Sequence, residues 1–239
     1  MTTDLIAIQN QLPADVRAML AQQVATDIER LGAVGGKDAI RITQDKKFEL
    51  PNGDLVDEIE AIVVDFVYRN EYYIGNFNRK QITPPACFAI NPVAADMTPS
   101  DTSPLKQSEG GCAVCQQNQF GSSPNGDGKA CKNTVYLAVL PPDATEDTPV
   151  WVLKTSPTAV KHFNSYVSKV ARAAQVPVTA VTTRIFFDPS STFASVRFEA
   201  SGPNKIFSLT QSRVTEARHR LMQEPDVSTF ELPKTPAKK

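Results

Sequence analysis

Long apolar runs are missing from this sequence. Stretches such as Ile62-Val63-Val64 and Ile185-Phe186-Phe187 fall far short of the ~20 consecutive apolar residues that cross a bilayer, so no transmembrane helix is expected. The start, Met-Thr-Thr-Asp-Leu, has neither a basic n-region nor an apolar h-region. A secretory leader is therefore not expected, and the four cysteines read as reduced thiols of a cytoplasmic protein. Histidine is scarce, with only His162 and His219. Motifs for catalysis are absent as well: there is no phosphate loop, nucleophile elbow or paired-carboxylate motif. Gly126-Asp127-Gly128-Lys129 lacks the strand and helix that a phosphate loop requires. The sequence therefore predicts a protein that is not an enzyme.

The chain has 239 residues, 41% of them hydrophobic with Tyr counted, which excludes disorder overall. At this length roughly 70% or more of the unfolded surface is buried on folding, enough for a true core in one or two domains. The formal net charge of −1 excludes a uniformly basic protein but conceals an asymmetry. Residues 1–150 carry 12 Lys/Arg against 20 Asp/Glu, net −8, and residues 151–239 carry 13 against 6, net +7. Local field, not total charge, is what a polyanion meets, so an anion-binding face is compatible with the balance.

Periodicity divides the chain. Val16, Leu20, Val24, Ile28 and Leu31 form a stripe at three-to-four-residue spacing, which predicts an amphipathic helix over residues 13–31. From Ile40 onward alternation and turn residues predict strands, with Asn52-Gly53 in a turn. Residues 59–68 are β-branched and aromatic, and the charged Arg69-Asn70-Glu71 before Tyr72-Tyr73-Ile74 reads as a hairpin loop. Strands follow at 136–140, 150–154, 178–188 and 193–200. Between them Thr155-Ser156-Pro157 caps a helix whose face is Val160, Phe163, Val167, Val170 and Ala174. A polar basic helix is expected over 208–223, ahead of a Pro/Lys tail. The expected division is residues 1–36 as a helical segment, 37–207 as the main domain, and 208–239 as a basic helix and tail.

Between residues 83 and 132 periodicity vanishes, in a stretch far longer than the usual ~4–6 residue connection. All four cysteines fall there: Cys87, the knuckle Cys112-Ala113-Val114-Cys115, and Cys131 after fifteen intervening residues. Zinc takes four soft or borderline ligands in a tetrahedron, and a Cys-x-x-Cys knuckle supplies two without a long loop closure. Metal–thiolate bonds would also replace the missing core. The two histidines lie on later predicted helices, so an all-cysteine site is favoured. Four sulfur ligands leave no open position, which makes such a zinc structural. Two other readings stand beside it. One is four unrelated buried thiols. The other is a redox dithiol, which normally sits where a strand enters a helix, whereas this knuckle lies between Gly110-Gly111 and Gln116-Gln117.

Tyr68, Tyr72, Tyr73 and Phe77 are interleaved with Arg69, Arg79 and Lys80, and Phe120 follows the knuckle with Lys129 and Lys132 close by. Rings that stack on bases, combined with cations that meet phosphates, make a single-strand-binding surface, and stacking supplies ~1–3 kcal/mol per base. Alternation sends Tyr72 and Tyr73 to opposite faces. Arg184 and Arg197 are the expected strand-borne partners of phosphates, with Lys161 and Lys169 as helix-borne ones. Each ring also has an ordinary packing role open to it in a strand.

Pro84-Pro85-Ala86-Cys87-Phe88, Cys112-Ala113-Val114-Cys115-Gln116-Gln117-Asn118-Gln119-Phe120-Gly121-Ser122 and Gly128-Lys129-Ala130-Cys131-Lys132 together resemble a family of single-stranded-DNA-binding proteins encoded by tailed bacteriophages. The resemblance runs from about residue 39 to 200 and includes Thr182-Thr183-Arg184-Ile185. It implies an α+β, mainly β fold: an OB-like barrel with a zinc-ordered insertion loop and flanking helices. It further implies sequence-independent binding of single-stranded DNA during phage replication or recombination in the host cytoplasm, with phage or host replication and recombination proteins as partners. Many such proteins end in an acidic tail, whereas this sequence ends Pro233-Lys234-Thr235-Pro236-Ala237-Lys238-Lys239. The rival expectation is a structural or protein-interaction module in which the zinc loop docks another protein.

Overall fold

The computed structural model describes residues 38–75, 83–124 and 126–232. The expected helix at 13–31, Phe77, Arg79, Lys80 and the final Lys-rich residues lie outside the described residues. The chain divides into two compact units, 1–39 and 40–239, and nearly everything described belongs to the second.

That unit is a mixed α+β structure, mainly β. Nine strands make one sheet that curls into a half-barrel. They are β1 (Ala39–Ile42), β2 (Phe48–Glu49), β3 (Leu55–Val56), β4 (Glu58–Tyr72), β5 (Cys87–Asn91), β6 (Lys132–Leu140), β7 (Trp151–Lys154), β8 (Val181–Phe187) and β9 (Val196–Pro203). Their order across the sheet is β3-β2-β1-β7-β6-β4-β8-β9, with β5 also paired to β4. The α-helices among the described residues are α1 (Ala159–Ala174), α2 (Phe207–Ser212) and α3 (Val214–Leu221).

The fifteen-residue β4 organises the sheet. Its first third pairs with β8, its last third with β5, and its middle and end with β6. The register against β6 shifts between Val63 and Asp65. An extra residue in one strand reverses which side chains face which way. Accordingly Ile59, Ala61 and Val63 enter one core cluster before the bulge, and Phe66 and Tyr68 pack against that same cluster after it. Val64 and Val67 enter the other cluster. The first cluster is covered by α1, whose Phe163 meets Phe66 and Phe198 edge-on at 4.9 and 5.3 Å. The second is covered by α2 and α3 through Leu209, Ala217 and Leu221. Curling brings distant strands together: Phe48 of β2 stacks on Phe187 of β8 with ring centroids 4.3 Å apart.

Two expectations are corrected. Arg69-Asn70-Glu71 is not a hairpin loop: β4 runs unbroken through all three, and all three are buried. Tertiary partners override the local polarity, because Asn70 accepts from Asn133 at 2.6 Å and Glu71 accepts from Lys154 at 2.9 Å. Arg69 donates to the carbonyl of Leu221 at 2.7 Å. Thr155 does not cap α1; its hydroxyl donates to the Val135 carbonyl at 2.9 Å and ties the loop to β6. Among the described residues no helix is long and apolar enough to cross a membrane.

Candidate functional site

The end of β4 gathers the cysteines. Cys87 opens β5 opposite Tyr72, and Lys132 opens β6 opposite Glu71, so Cys131 precedes β6 at that same end. The knuckle reaches them from the long loop. Gly111 has φ +89°, a conformation open to glycine at little steric cost, and lets the Cys112 N–H donate to the Met97 carbonyl at 2.9 Å. A short 3-10 turn, Gln116–Asn118, follows Cys115. The Asn118 side-chain amide donates back to the Cys112 carbonyl at 2.8 Å, and the Cys131 N–H donates to the Gln117 carbonyl at 2.8 Å.

All four cysteines are buried and unbridged, and all four line a single cavity of about 10 Å³ together with Asn70 and Tyr72. That is about the least space that admits a single water molecule. The donor set, four thiols around a space of single-atom size, is the chemistry a thiophilic ion takes. As they stand, no three His, Cys, Asp or Glu side chains among the described residues are grouped closely enough to hold an ion. The sulfurs share the cavity without converging on one point.

Burial pushes the Cys131 thiol up to about 12, and the neighbouring Cys112, Cys115 and Cys87 add to this. Burial also raises Cys112, partly offset by a hydrogen bond from Asn70. Four thiolates would repel one another in this space, and a divalent cation is the species that reverses that balance. A raised thiol is a poor nucleophile at neutral pH, the reverse of what a redox dithiol needs.

Asn70 belongs to an amide relay that no sequence motif marks. Lys129 donates to Asn118 and Asn133 at 3.3 and 3.1 Å, Asn133 donates to Asn70, and Asn70 lines the thiol cavity beside Cys112. The signal present in the sequence was Asn133, two residues past Cys131, and Asn118, three past Cys115; both sit at positions that alternation or a tight turn keeps beside the thiols.

The structure disperses the rings and cations expected to meet nucleic acid. Phe120 is 83% exposed, with the Lys129 ammonium 5.3 Å from its ring centre. Lys132 is exposed and donates to the Lys129 carbonyl at 3.3 Å. Tyr68 is half-buried and its hydroxyl donates to Asn164 of α1 at 2.8 Å. Tyr72 lines the thiol cavity, whereas Tyr73, 37% exposed, donates to Glu71 at 3.0 Å. The strand arginines carry carboxylates already. Arg184 is paired with Glu58 and Glu199 and lies over the Phe186 ring. Arg197 is bonded twice to Asp188 and once to His162.

Neither a protein-family model, a curated protein nor a solved structure matches the chain.

Proposed function

We propose that this protein binds single-stranded DNA without sequence preference, on an OB-like barrel whose loop at residues 83–132 is ordered by one structural zinc. Cys87, Cys112, Cys115 and Cys131 would hold the ion, with Asn70 and the Asn133–Lys129 relay orienting the sulfurs. Its chemistry would be cohesive, since four thiolates leave no position for water or substrate. The role is non-enzymatic and belongs to phage DNA replication or recombination in the host cytoplasm, alongside phage or host proteins of those processes.

The observation that carries the reading is Phe120. An apolar ring 83% exposed in a polar loop, with Lys129 beside it and the exposed Lys132 bonded to the Lys129 carbonyl, has a free face for a base and cations for the adjoining phosphates. A sheet curled so far that Phe48 of β2 stacks on Phe187 of β8 supports the barrel reading. Phe120→Ala should cost about 1–3 kcal/mol of affinity for an oligo(dT), with melting temperature and metal content unchanged. Fluorescence anisotropy, calorimetry and elemental analysis on one preparation measure all three. An affinity unaffected by the substitution would refute the stacking role.

A protein-docking role has an observation of its own. Val114, 69% exposed, and Phe120 project from the same knuckle loop, and the arginines at 184 and 197 are already ion-paired. Retention of a phage or host protein by the wild-type chain but not by a Val114→Ser, Phe120→Ser variant, with no oligonucleotide binding by either, would select it.

A further inference from the structure

A second cleft, of about 780 Å³, opens between α1 and the strands β8 and β9, away from the cysteines. Its volume lies in the range of sites that enclose a small molecule or one unit of a polymer. Buried Tyr166, Val170 and Phe198 line it together with half-buried Phe186. Polar groups line it too: His162, Lys169 and Arg197.

Two cations, Lys169 and Arg197, and two carboxylates, Asp188 and Glu199, line this cleft, and the helix beside it is one-sided in charge. From Asp147 to Asp188 the chain has no intervening carboxylate side chain, and α1 carries Lys161, Lys169 and Arg172. All three are exposed, and none forms an ion pair among the described residues. The two carboxylates that line the cleft are engaged, Asp188 by Ser190 and by Arg197, which also lines the cleft, and Glu199 by Arg184 at 3.6 Å. Arg197 donates to Nδ1 of His162, which therefore accepts and leaves its proton on Nε2 as a further donor. Lys169, which has no ion pair among the described residues, and the His162 donor thus line an aromatic and aliphatic surface, with Arg172 about one turn along the same helix from Lys169, which is the chemistry of a nucleotide unit: a planar base with a phosphate.

α1 also shares a face of the sheet with the thiol loop. Tyr68 of β4 reaches Asn164 of α1, and Asn70, two residues along the same face, lines the thiol cavity. We infer that the cleft between α1 and β8–β9 is a second nucleotide-binding site, which receives a base of the single strand while Lys169 and Arg172 take the flanking phosphates. This rests on the single-strand reading above and extends it from the Phe120 loop to α1.

The test compares the wild-type protein with Phe120→Ala, with Lys169→Gln/Arg172→Gln, and with Ala173→Trp, which places a bulky ring at an exposed position lining the cleft. Each is titrated with a dT oligonucleotide of about 16 nucleotides, the upper end of single-strand site sizes, at several salt concentrations. Melting temperatures establish that the variants are folded. The double variant should bind about tenfold more weakly, and its plot of log K against log salt should flatten by about 1.4, ~0.7 for each phosphate that is no longer neutralised. Ala173→Trp should weaken binding with the slope nearly unchanged. If Phe120→Ala weakens binding while both α1 variants match the wild type, the cleft is rejected and the single-strand reading stands. A loss confined to the charge variant also rejects the cleft, since the helix face alone would then suffice. Absence of oligonucleotide binding by the wild-type protein rejects both.

Discussion

Glu71 is 5% exposed in the middle of a sheet, and its ionisation is decided by opposing effects. Burial alone would raise its carboxyl, but the Lys154 ammonium, hydrogen bonds from Lys154 and Tyr73, and the nearby Arg69 hold it below the usual value. The same network sets the neighbours. Burial raises Tyr136, with Glu71 adding to it, and the Arg69 guanidinium lies 4.3 Å from its ring centre. Arg69 is further anchored on the carbonyls of Leu221 and Gln223, although its Nε has no partner among the described residues. Because the folded carboxyl titrates below its unfolded value, the contribution of this pair to stability is fully present above about pH 4.5. It is lost as pH falls through the lower, folded value. Lys154 is half-exposed and can rehydrate, so Glu71→Gln should cost only about 1–3 kcal/mol near neutral pH. Urea melts of wild type and variant at pH 7 and pH 3 should therefore converge at the lower pH; a difference that stays constant across that range would contradict this assignment.

At the scale of elements, the loop at residues 83–131 is the part whose stability has the narrowest basis. It covers the outer edge of β5 through hydrogen bonds from the Ser100 N–H to the Phe88 carbonyl at 2.8 Å and from the Leu105 N–H to the Ala86 carbonyl at 2.7 Å. Such a cover removes an open strand edge that would otherwise invite pairing with another chain. Its own apolar cluster is small: Ala89, Met97 and Cys112, with Tyr68 against them. Metal–thiolate bonds would supply the remaining cohesion. Elemental analysis should find about one zinc, or another thiophilic metal, per chain, and Cys115→Ser should abolish it. Amide exchange should then accelerate across residues 83–132 while β4 and β6 stay protected. Reduced, metal-free protein with a fully protected loop would exclude the metal. The cysteine spacing that suggested this site was legible because all four residues are local to one segment. The relay through Asn70 was not, since it depends on β4 lying between β5 and β6.

For the molecule as a whole, the curl of the sheet brings together residues far apart in sequence. Phe48 is fully buried against Phe187, and Phe48→Ala should destabilise the protein by about 3–5 kcal/mol through reduced burial and the cavity left behind. Thermal or denaturant unfolding measures that, and a loss below ~1 kcal/mol would show that the contact of β2 with β8 adds little to stability. By itself the sequence determined the elements whose signal is local. Phe163 and Val170 came from helical spacing, and the strands through Ile185 and Leu137 came from β-branched and apolar runs. The gathering of thiols in an aperiodic segment came from counting. Only the tertiary structure decided what depends on partners brought in from elsewhere. Arg69, Asn70 and Glu71 read as a polar turn because their charges are visible in sequence, and the groups that compensate them, at Leu221, Asn133 and Lys154, are not. Likewise the bulge that redirects Val64, the stack of Phe48 on Phe187 and the cleft beside α1 arise from strand pairing and sheet curl. Those are long-range choices that the periodicity of any one segment leaves open, because periodicity records which face a residue takes and not what that face will meet.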